Sequence, residues 1–469
     1  MVLHTTSTIF ADTYMEKQEM TKKRRSSQGV LYRALRMYML YIHDQFLYKK
    51  FYRLNKTNVP ANGTPLLLVS NHQNCLCDPL TLVFSLRDRK INEFVRADIF
   101  KINPLLTSIL NYLGLNPAFR LDFDGKEMLW KNRNMFKKCE EKLLDGETVL
   151  MYPEGRHQDK HWLGDFTLGY TKLAFETAAL GNFEKDIFIL PCCNHYSAYK
   201  DIQHDVVVKF GTPISLMPYY ELYQEKPRTA QRQLNEVVRA QISDMMLHVT
   251  DLENYKSIDF LRNTYGRKFA ESNGLCSNYL PDKLESDKLF VKKLQEAKDE
   301  NSSSVQQIFE DALLIDGELK QMKVRDDNFD KTPGWLSIVM SIFAMVVLFP
   351  AWLFSLWPNI IVYIVPSLVM CRVKDKRFHN SFFLVISGIV TMPVLYALTF
   401  GLVWVFGNFW IAFIYALLLP WLGLFAHYYK LFAIKTGQNL RFRRIMKTAK
   451  GIKIRDLRYN LNERLNKLF

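Results

Sequence analysis

Apolar residues follow two different patterns along this chain. Between residues 61 and 220, short apolar runs at residues 65–69, 148–152, 186–190 and 206–210 alternate with stretches of helical periodicity. This alternation of strand and helix signals predicts an α/β domain. Farther along, residues 335–371 and residues 381–426 contain no charged side chain. Such long uncharged blocks are typical of membrane-spanning helices.

Each uncharged block is long enough for two crossings, since one helical crossing needs about 20 residues. Turn-forming residues divide the first block at Pro350 and at residues 357–359, and Gly407 and Asn408 divide the second. The sequence therefore predicts an all-α membrane domain of about four transmembrane helices over residues 333–430. Basic residues at 372–377 and 430–444 predict that both chain ends and the α/β domain lie on the cytoplasmic side.

The remaining segments have distinct compositions. Residues 1–28 lack an apolar run and are expected to be disordered. Residues 29–60 mix basic and aromatic side chains at near-helical spacing, which favours an amphipathic helix at the membrane interface, with a core-facing helix as the alternative. Residues 221–332 predict a helical region and linker with a polar break at 301–304, and residues 431–469 predict a basic cytoplasmic tail.

The charge balance indicates an anionic partner. Lys and Arg number 62 against 47 Asp and Glu, a net charge of +15, which is compatible with nucleic acid, a membrane surface or a phosphorylated substrate. The soluble half lacks the interleaved basic and aromatic motifs of nucleic-acid binders, so we expect no nucleic-acid partner. The 7 cysteines show no C-x-x-C spacing, and we expect reduced thiols and no structural zinc site.

Polar clusters follow three of the strand signals, at residues 70–72, 153–156 and 191–194. Strand ends that meet at one edge are where α/β proteins build their sites. In the first cluster, His72 offers a base whose ordinary pKa of about 6.5 suits proton abstraction near neutrality. Asp78 offers a carboxylate that can hold one ring nitrogen protonated. We therefore interpret His72 and Asp78 as a candidate catalytic pair.

Four ordered blocks resemble the family of glycerol-3-phosphate and 1-acylglycerol-3-phosphate acyltransferases. They run from Asn71 to Asp78, from Gly114 to Arg120, from Tyr152 to Arg156, and over Leu190 and Pro191. Two departures stand out: five residues rather than four separate His72 from Asp78, and Arg156 and His157 stand where the family commonly has Thr-Arg. One added helical residue would rotate Asp78 by about 100°, so a kink or an offset cap must compensate.

The resemblance implies a role for each matching residue. His72 would take the proton of an acceptor hydroxyl as it attacks a thioester, and Asp78 would orient the imidazolium; no covalent acyl-enzyme and no cofactor is implied. The substrate-binding residues would be Arg120 and Arg156 on the phosphate with Lys101 as a secondary candidate, Glu154 on a glycerol hydroxyl, Gly155 for close backbone approach, and Pro191 at the acyl pocket. Whether Arg156 or His157 faces the phosphate stays open.

We therefore expect a membrane-bound acyltransferase that uses acyl-CoA or acyl carrier protein and a phosphorylated glycerol or lysophospholipid, in phosphatidic acid synthesis. A lysoaminolipid or another amphiphilic alcohol is an alternative acceptor. A non-enzymatic scaffold or transporter is the rival class, and the uncharged spans count against transport. His157 and His161 are spaced i, i+4, but Gln158 replaces the Glu that a zinc hydrolase needs, so we expect no metal.

Overall fold

The computed structural model describes residues 29–96, 104–112, 114–118, 130–199, 202–372, 381 and 383–469. The expected disordered segment 1–28 lies outside these residues. The chain divides into two compact units. We call residues up to His248, together with Ser381, the sheet unit, and we call the rest, from Val249 onward, the helical unit.

The sheet unit is built on a mixed sheet whose strand order is β1-β7-β6-β2-β5-β3-β4, with β8 pairing β6. Strands β6 and β7 are antiparallel, as are β6 and β8, and the other pairs are parallel. The described strands are β1 Tyr48–Leu54, β2 Leu66–Ser70, β3 Ile91–Arg96, β4 Leu115–Ala118, β5 Thr148–Met151, β6 Phe188–Tyr196, β7 His204–Phe210 and β8 Ile214–Ser215. The α/β domain expected from the sequence is confirmed.

Helices cover both faces of this sheet because its central strands are apolar on both sides. Leu67 and Val69 of β2 join one buried cluster, while Leu66 and Leu68 join another on the opposite face. The described helices of the sheet unit are α1 Val30–Tyr41, α2 Cys77–Ser85, α3 Pro104–Tyr112, α4 Trp130–Leu144, α5 Gly169–Leu180, α6 Tyr220–Glu225 and α7 Pro227–Met245. The unit therefore extends to residue 248, beyond the boundary expected at 220.

Two local expectations for the sheet unit are wrong. The segment 29–60 is helical only at its start, because Tyr48–Leu54 pairs with β7 as an edge strand. Strand β6 does not end at Pro191 but continues to Tyr196. Pro191 is tolerated because it lies between two antiparallel partners: Ile189 pairs with β8 and Cys192 pairs with β7, so no antiparallel partner faces the missing N–H.

The helical unit begins with a helical bundle. Its described helices are α8 Tyr255–Thr264, α9 Gly266–Ser272, α10 Leu280–Glu300, α11 Ser302–Met322 and α12 Asp327–Asp330. Asn301 separates α10 from α11, and its side chain caps α11 by accepting the N–H of Ser304, at the expected polar break. The segment 431–469, expected to be a basic cytoplasmic tail, is helical: it completes a long helix and forms α16 Ala449–Leu468, whose Ile454 and Leu461 are buried against the bundle.

Three helices in the described residues are long and apolar enough to cross a membrane, rather than the expected four. They are α13 Trp335–Arg372, the helix Leu384–Phe406, which starts as a π-helical segment and continues as α14 Met392–Phe406, and α15 Phe409–Ile445. The expected break at Gly407 and Asn408 is confirmed, since Asn408 caps α15. The expected turn at residues 357–359 is wrong, because α13 continues through it.

Helix α13 accommodates prolines at 350, 358 and 366. Proline is tolerated in apolar helices when neighbouring groups satisfy the freed backbone. Asn359 lies within α13 rather than in the expected turn, and it is fully buried. It donates to the carbonyls of Ser355 and Leu419 and accepts the hydroxyl of Tyr396 at 2.7 Å. The asparagine that resembles a turn signal in the sequence thus joins three apolar helices.

Distances between spin labels distinguish one long helix from two spans. In a variant whose native cysteines are replaced, labels on Leu336→Cys and Leu368→Cys should be about 40–50 Å apart, because 32 residues of α-helix extend about 48 Å. Double electron-electron resonance measures this distance. Labels at Leu398→Cys and Leu417→Cys, on helices that pack as neighbours, provide the short-distance control. A distance under about 25 Å for the first pair would restore a two-span hairpin.

Candidate functional site

The His72 and Asp78 side chains are hydrogen-bonded to each other. Nδ1 of His72 lies 2.7 Å from Oδ2 of Asp78, whose side chain is fully buried, while the His72 side chain is 15% exposed. A buried carboxylate favours the tautomer in which Nδ1 carries the proton and donates it to the carboxylate. The arrangement leaves Nε2 of His72 as the acceptor for a substrate proton.

A tight loop compensates for the extra residue between His72 and Asp78. His72 precedes helix α2, which begins at Cys77, so the two side chains do not have to share a helical face. Cys75 adopts a left-handed backbone conformation with φ of 45°, which turns the chain before the helix. Asp78 then lies in the first turn of α2, where the positive end of the helix dipole stabilises a carboxylate.

The loop also donates backbone amides to the carboxylate. The N–H groups of Gln73 and Asn74 donate to Oδ2 of Asp78 at 2.8 and 2.7 Å. Farther along the loop, the N–H of Leu76 donates to Oγ of Ser381 at 3.0 Å. A loop held by several of its own amides is more rigid than a loop anchored by side chains alone, because amide positions are fixed by the backbone.

Two residues of strand β6, Asn194 and Tyr196, make contacts that the sequence analysis missed. The hydroxyl of Tyr196 donates to Oδ1 of Asp78 at 2.7 Å. Asn194 donates its backbone N–H to the side chain of Asn71, and its own amide oxygen accepts the hydroxyl of Thr81 in α2. The signal in the sequence was the polar alternation of Asn194 and Tyr196, which places both on one strand face once β6 is known to continue past Pro191.

Glu154 lies next to His72 because strands β2 and β5 are parallel neighbours that end at the same sheet edge. Its Oε1 accepts the backbone N–H of His72 at 2.8 Å, and its Oε2 accepts the N–H of Gly164 at 2.9 Å. Burial raises the pKa of this carboxyl group, while the two backbone hydrogen bonds act in the opposite direction. The structure therefore gives Glu154 a backbone contact with the candidate base.

The residues next to Glu154, at positions 152 and 155–157, differ in their contacts with the His72 imidazole and in their exposure. The ring of Tyr152 stacks on the His72 ring with 4.2 Å between centroids, and the His157 ring meets it edge-on at 5.5 Å. Gly155 has a φ of 65° with open space where a Cβ would be, and Arg156 is exposed. His157 thus contacts the His72 ring, and Arg156 is the more exposed of the two residues.

The three remaining predicted site residues have no described contact with His72 or Asp78. Arg120 and Lys101 lie outside the described residues, and their substrate-binding roles remain predictions. Pro191 is buried within β6, opposite Val69 of β2. Among the residues that the structure describes, no group of three or more His, Cys, Asp or Glu side chains is arranged to hold a metal ion.

Comparisons with known proteins place residues 51–195 in the family model described as Acyltransferase. A chloroplastic 1-acyl-sn-glycerol-3-phosphate acyltransferase of Arabidopsis thaliana is 31% identical over 130 residues, 27% of this chain and 34% of that protein. A chloroplastic 1-acyl-sn-glycerol-3-phosphate acyltransferase of Brassica napus is 30% identical over 120 residues, 26% of this chain and 32% of that protein. The family resemblance expected from the four sequence blocks is confirmed.

The segment that matches the family model lies within the sheet unit. The aligned part of the chain spans about a third of the length of these two plant relatives. The crystal structure of the 1-acyl-sn-glycerophosphate acyltransferase PlsC from Thermotoga maritima is 17% identical, with a TM-score of 0.32, covering 50% of this chain and 91% of that chain. The helical unit lies beyond the matched family segment.

Replacing Glu154 with glutamine tests whether it supports the loop or binds substrate. The amide provides one acceptor oxygen in place of two, so the N–H of His72 or of Gly164 loses its partner. An unsatisfied buried donor costs about 1–3 kcal/mol, and we expect Glu154→Gln to lower the free energy of unfolding by that amount. We also expect kcat for acyl transfer to fall while the acceptor KM changes little. Thermal unfolding and steady-state kinetics measure both effects.

The matched control is Glu176→Gln, because Glu176 forms a partly exposed ion pair with Lys172 in the same unit. Such pairs contribute about 1 kcal/mol or less, so this variant should resemble the parent protein. A Glu154→Gln variant of unchanged stability and strongly raised acceptor KM would assign Glu154 to the substrate instead.

Proposed function

The chain carries a domain of the acyltransferase family, and we propose that this domain moves a fatty acyl group from acyl-CoA or acyl carrier protein to 1-acylglycerol 3-phosphate or glycerol 3-phosphate. The observation that carries the proposal is the 2.7 Å hydrogen bond between His72 and the buried carboxylate of Asp78. The pair follows a parallel strand at the sheet edge where Glu154 also lies, as expected of an α/β active site.

The chemistry follows from the tautomer that the pair favours. Nε2 of His72 accepts the proton of the acceptor hydroxyl as its oxygen attacks the thioester carbonyl carbon. The carboxylate of Asp78 stabilises the imidazolium that forms. When the tetrahedral intermediate collapses, the C–S bond breaks and the imidazolium returns its proton to the leaving thiolate. Each proton that His72 gains is therefore released within one reaction cycle.

A direct attack by the acceptor is favoured over an intermediate acylated at Cys77 or Cys192. The thiolate is the nucleophilic form of cysteine. Burial raises the pKa of the Cys77 thiol to about 12 and raises the pKa of the Cys192 thiol well above its ordinary value. Both thiols are therefore poor nucleophiles at neutral pH.

The acceptor class is supported by charge and by the apolar helices. A forked guanidinium suits a phosphate, and Arg156 is exposed one residue after Gly155, in the block that contains Glu154. Arg120 and Lys101 are the further candidates for this contact. The three apolar helices found in the described part of the chain support acyl-chain substrates that reside in a membrane. Phosphatidic acid synthesis is accordingly the proposed pathway, with the domain on the cytoplasmic side.

Labelled acyl transfer with purified protein in detergent tests this function. Glycerol 3-phosphate, 1-acylglycerol 3-phosphate and a lysoaminolipid are each offered with acyl-CoA or with acyl carrier protein. Product from a phosphate-bearing acceptor is the expected result. Transfer only to the lysoaminolipid would replace the acceptor class, and no transfer from either donor would favour a non-enzymatic membrane protein.

We expect His72→Ala to lower kcat by about 10²- to 10⁴-fold, the usual contribution of a general base. Its unfolding temperature should change little, because Asp78 keeps three of its four donors, the two loop amides and the Tyr196 hydroxyl. Initial rates and a thermal melt in the same detergent measure these two quantities. Lys172→Ala, a surface change in the sheet unit, serves as the control. Full turnover by the His72→Ala protein would exclude His72 as the base.

A further inference from the structure

The two oxygens of Asp78 have different kinds of partner. Oδ2 accepts the His72 imidazole and the two loop amides, so the backbone of the loop fixes its position. Oδ1 accepts the hydroxyl of Tyr196 at 2.7 Å. The tyrosine belongs to strand β6, whereas His72 and the amides belong to the loop. One carboxylate thus joins the loop to the sheet.

Tyr196 is held rigidly as a hydrogen-bond donor. Its side chain is buried, and its ring lies against the rings of Tyr48 and His204 at centroid distances of 6.2 and 6.1 Å. Burial, and next the negative charge of Asp78, raise the pKa of the Tyr196 phenol well above its ordinary value. The phenol therefore stays protonated through the physiological range and donates to Oδ1.

We propose that Tyr196 is a positioning residue that holds Asp78 as a carboxylate aligned with His72. The inference rests on the proposed acyl transfer. Neither the four sequence blocks nor the family comparison assigns a role to this residue. Through Asp78, Tyr196 governs how readily His72 is available as a base, although it does not itself touch the reacting atoms.

The charge of the His72–Asp78 pair determines in which direction loss of the Tyr196 hydroxyl shifts proton binding by the pair. With His72 neutral, the pair carries one negative charge, and the phenol hydrogen bond to Oδ1 is strong; with His72 protonated, the net charge is zero and the bond is weaker. Removing the phenol therefore destabilises the base-competent state more, and the pair binds its proton at higher pH. Among the described residues, the titratable side chains near this pair or near the Tyr196 ring include Tyr48, Cys75, Cys77, Tyr152, Glu154, His157 and His204.

Tyr196→Phe removes the hydroxyl and keeps the ring. We expect the acidic limb of the kcat/KM profile to move up by about 0.5 to 1 pH unit, since a hydrogen bond to the charged form lowers a carboxyl pKa. Below the midpoint, kcat/KM should fall by about 3- to 10-fold, because each pH unit is a factor of ten. The matched control is Tyr170→Phe, another buried tyrosine, whose hydroxyl donates to Asn235. Its pH profile should not move.

A second measurement does not depend on turnover. Diethyl pyrocarbonate modifies neutral imidazole, so the rate of His72 modification against pH, quantified by peptide mass spectrometry, reports its protonation. We expect the same upward shift in Tyr196→Phe and no shift in Tyr170→Phe. A shift in a protein that transfers no acyl group would uphold Tyr196 as a positioning residue while refuting the proposed function.

A conservative replacement covers the case in which Tyr196→Phe does not fold. A 3-fluorotyrosine introduced at position 196 keeps the hydroxyl and makes it a stronger donor, so the His72 midpoint should move to lower pH. Folded Tyr196→Phe with an unchanged midpoint would overturn the inference. If only the fluorinated protein folds, an unchanged midpoint in that variant would overturn it equally.

Discussion

The candidate site depends on the burial of one charged group, the carboxylate of Asp78. A buried ion is destabilising unless donors replace the water it has lost. Four donors do so here: the His72 imidazole, two amides of the loop that follows it, and the Tyr196 hydroxyl. Three of these donors belong to the loop at residues 72–74, and the fourth belongs to strand β6. The requirement to satisfy Asp78 therefore fixes the loop, strand β6 and the start of α2 relative to one another.

Two carboxylates at this sheet edge, those of Asp78 and Glu154, hold different parts of His72. Asp78 holds the imidazole side chain, whereas Glu154 holds the backbone N–H of the same residue. Because one contact acts on the ring and the other on the main chain, His72 has little freedom to translate or rotate. The His72 N–H bond to Glu154 ties the loop after β2 to the loop after β5, and the Gly164 N–H holds Glu154 within that second loop. Such mutual support is what a general base requires, since small misplacements slow proton transfer.

The pair His72 and Asp78 could be predicted from the sequence, as could the strands at Leu66–Ser70 and Thr148–Met151 that precede the two polar clusters. Local apolar runs and residue chemistry carry that information. The contact of Tyr196 could not be predicted, because it depends on β6 continuing past a proline. That continuation depends on β7 and β8 pairing with β6 on either side of Pro191, which is a tertiary constraint. The five residues between His72 and Asp78 cast doubt on their hydrogen bond only if His72 is assumed to lie on the same helix as Asp78.

Local sequence signals were also insufficient to predict the structure of the membrane-capable helices, whose surroundings differ from water. Hydropathy located both apolar blocks, but Pro358 and Asn359 were interpreted as a turn because water can satisfy exposed backbone groups there. Among apolar helices that option is absent, and an asparagine gains more from partners on neighbouring helices. Asn359 finds them on Leu419 and Tyr396, while Gly423, which lies against the Asn359 side chain, lacks a Cβ that would meet Asn359 at 3.0 Å. Asn359, a polar residue of a kind that often ends a helix in water, here connects α13 to its neighbouring helices. Its structural role therefore depends on the solvent around it.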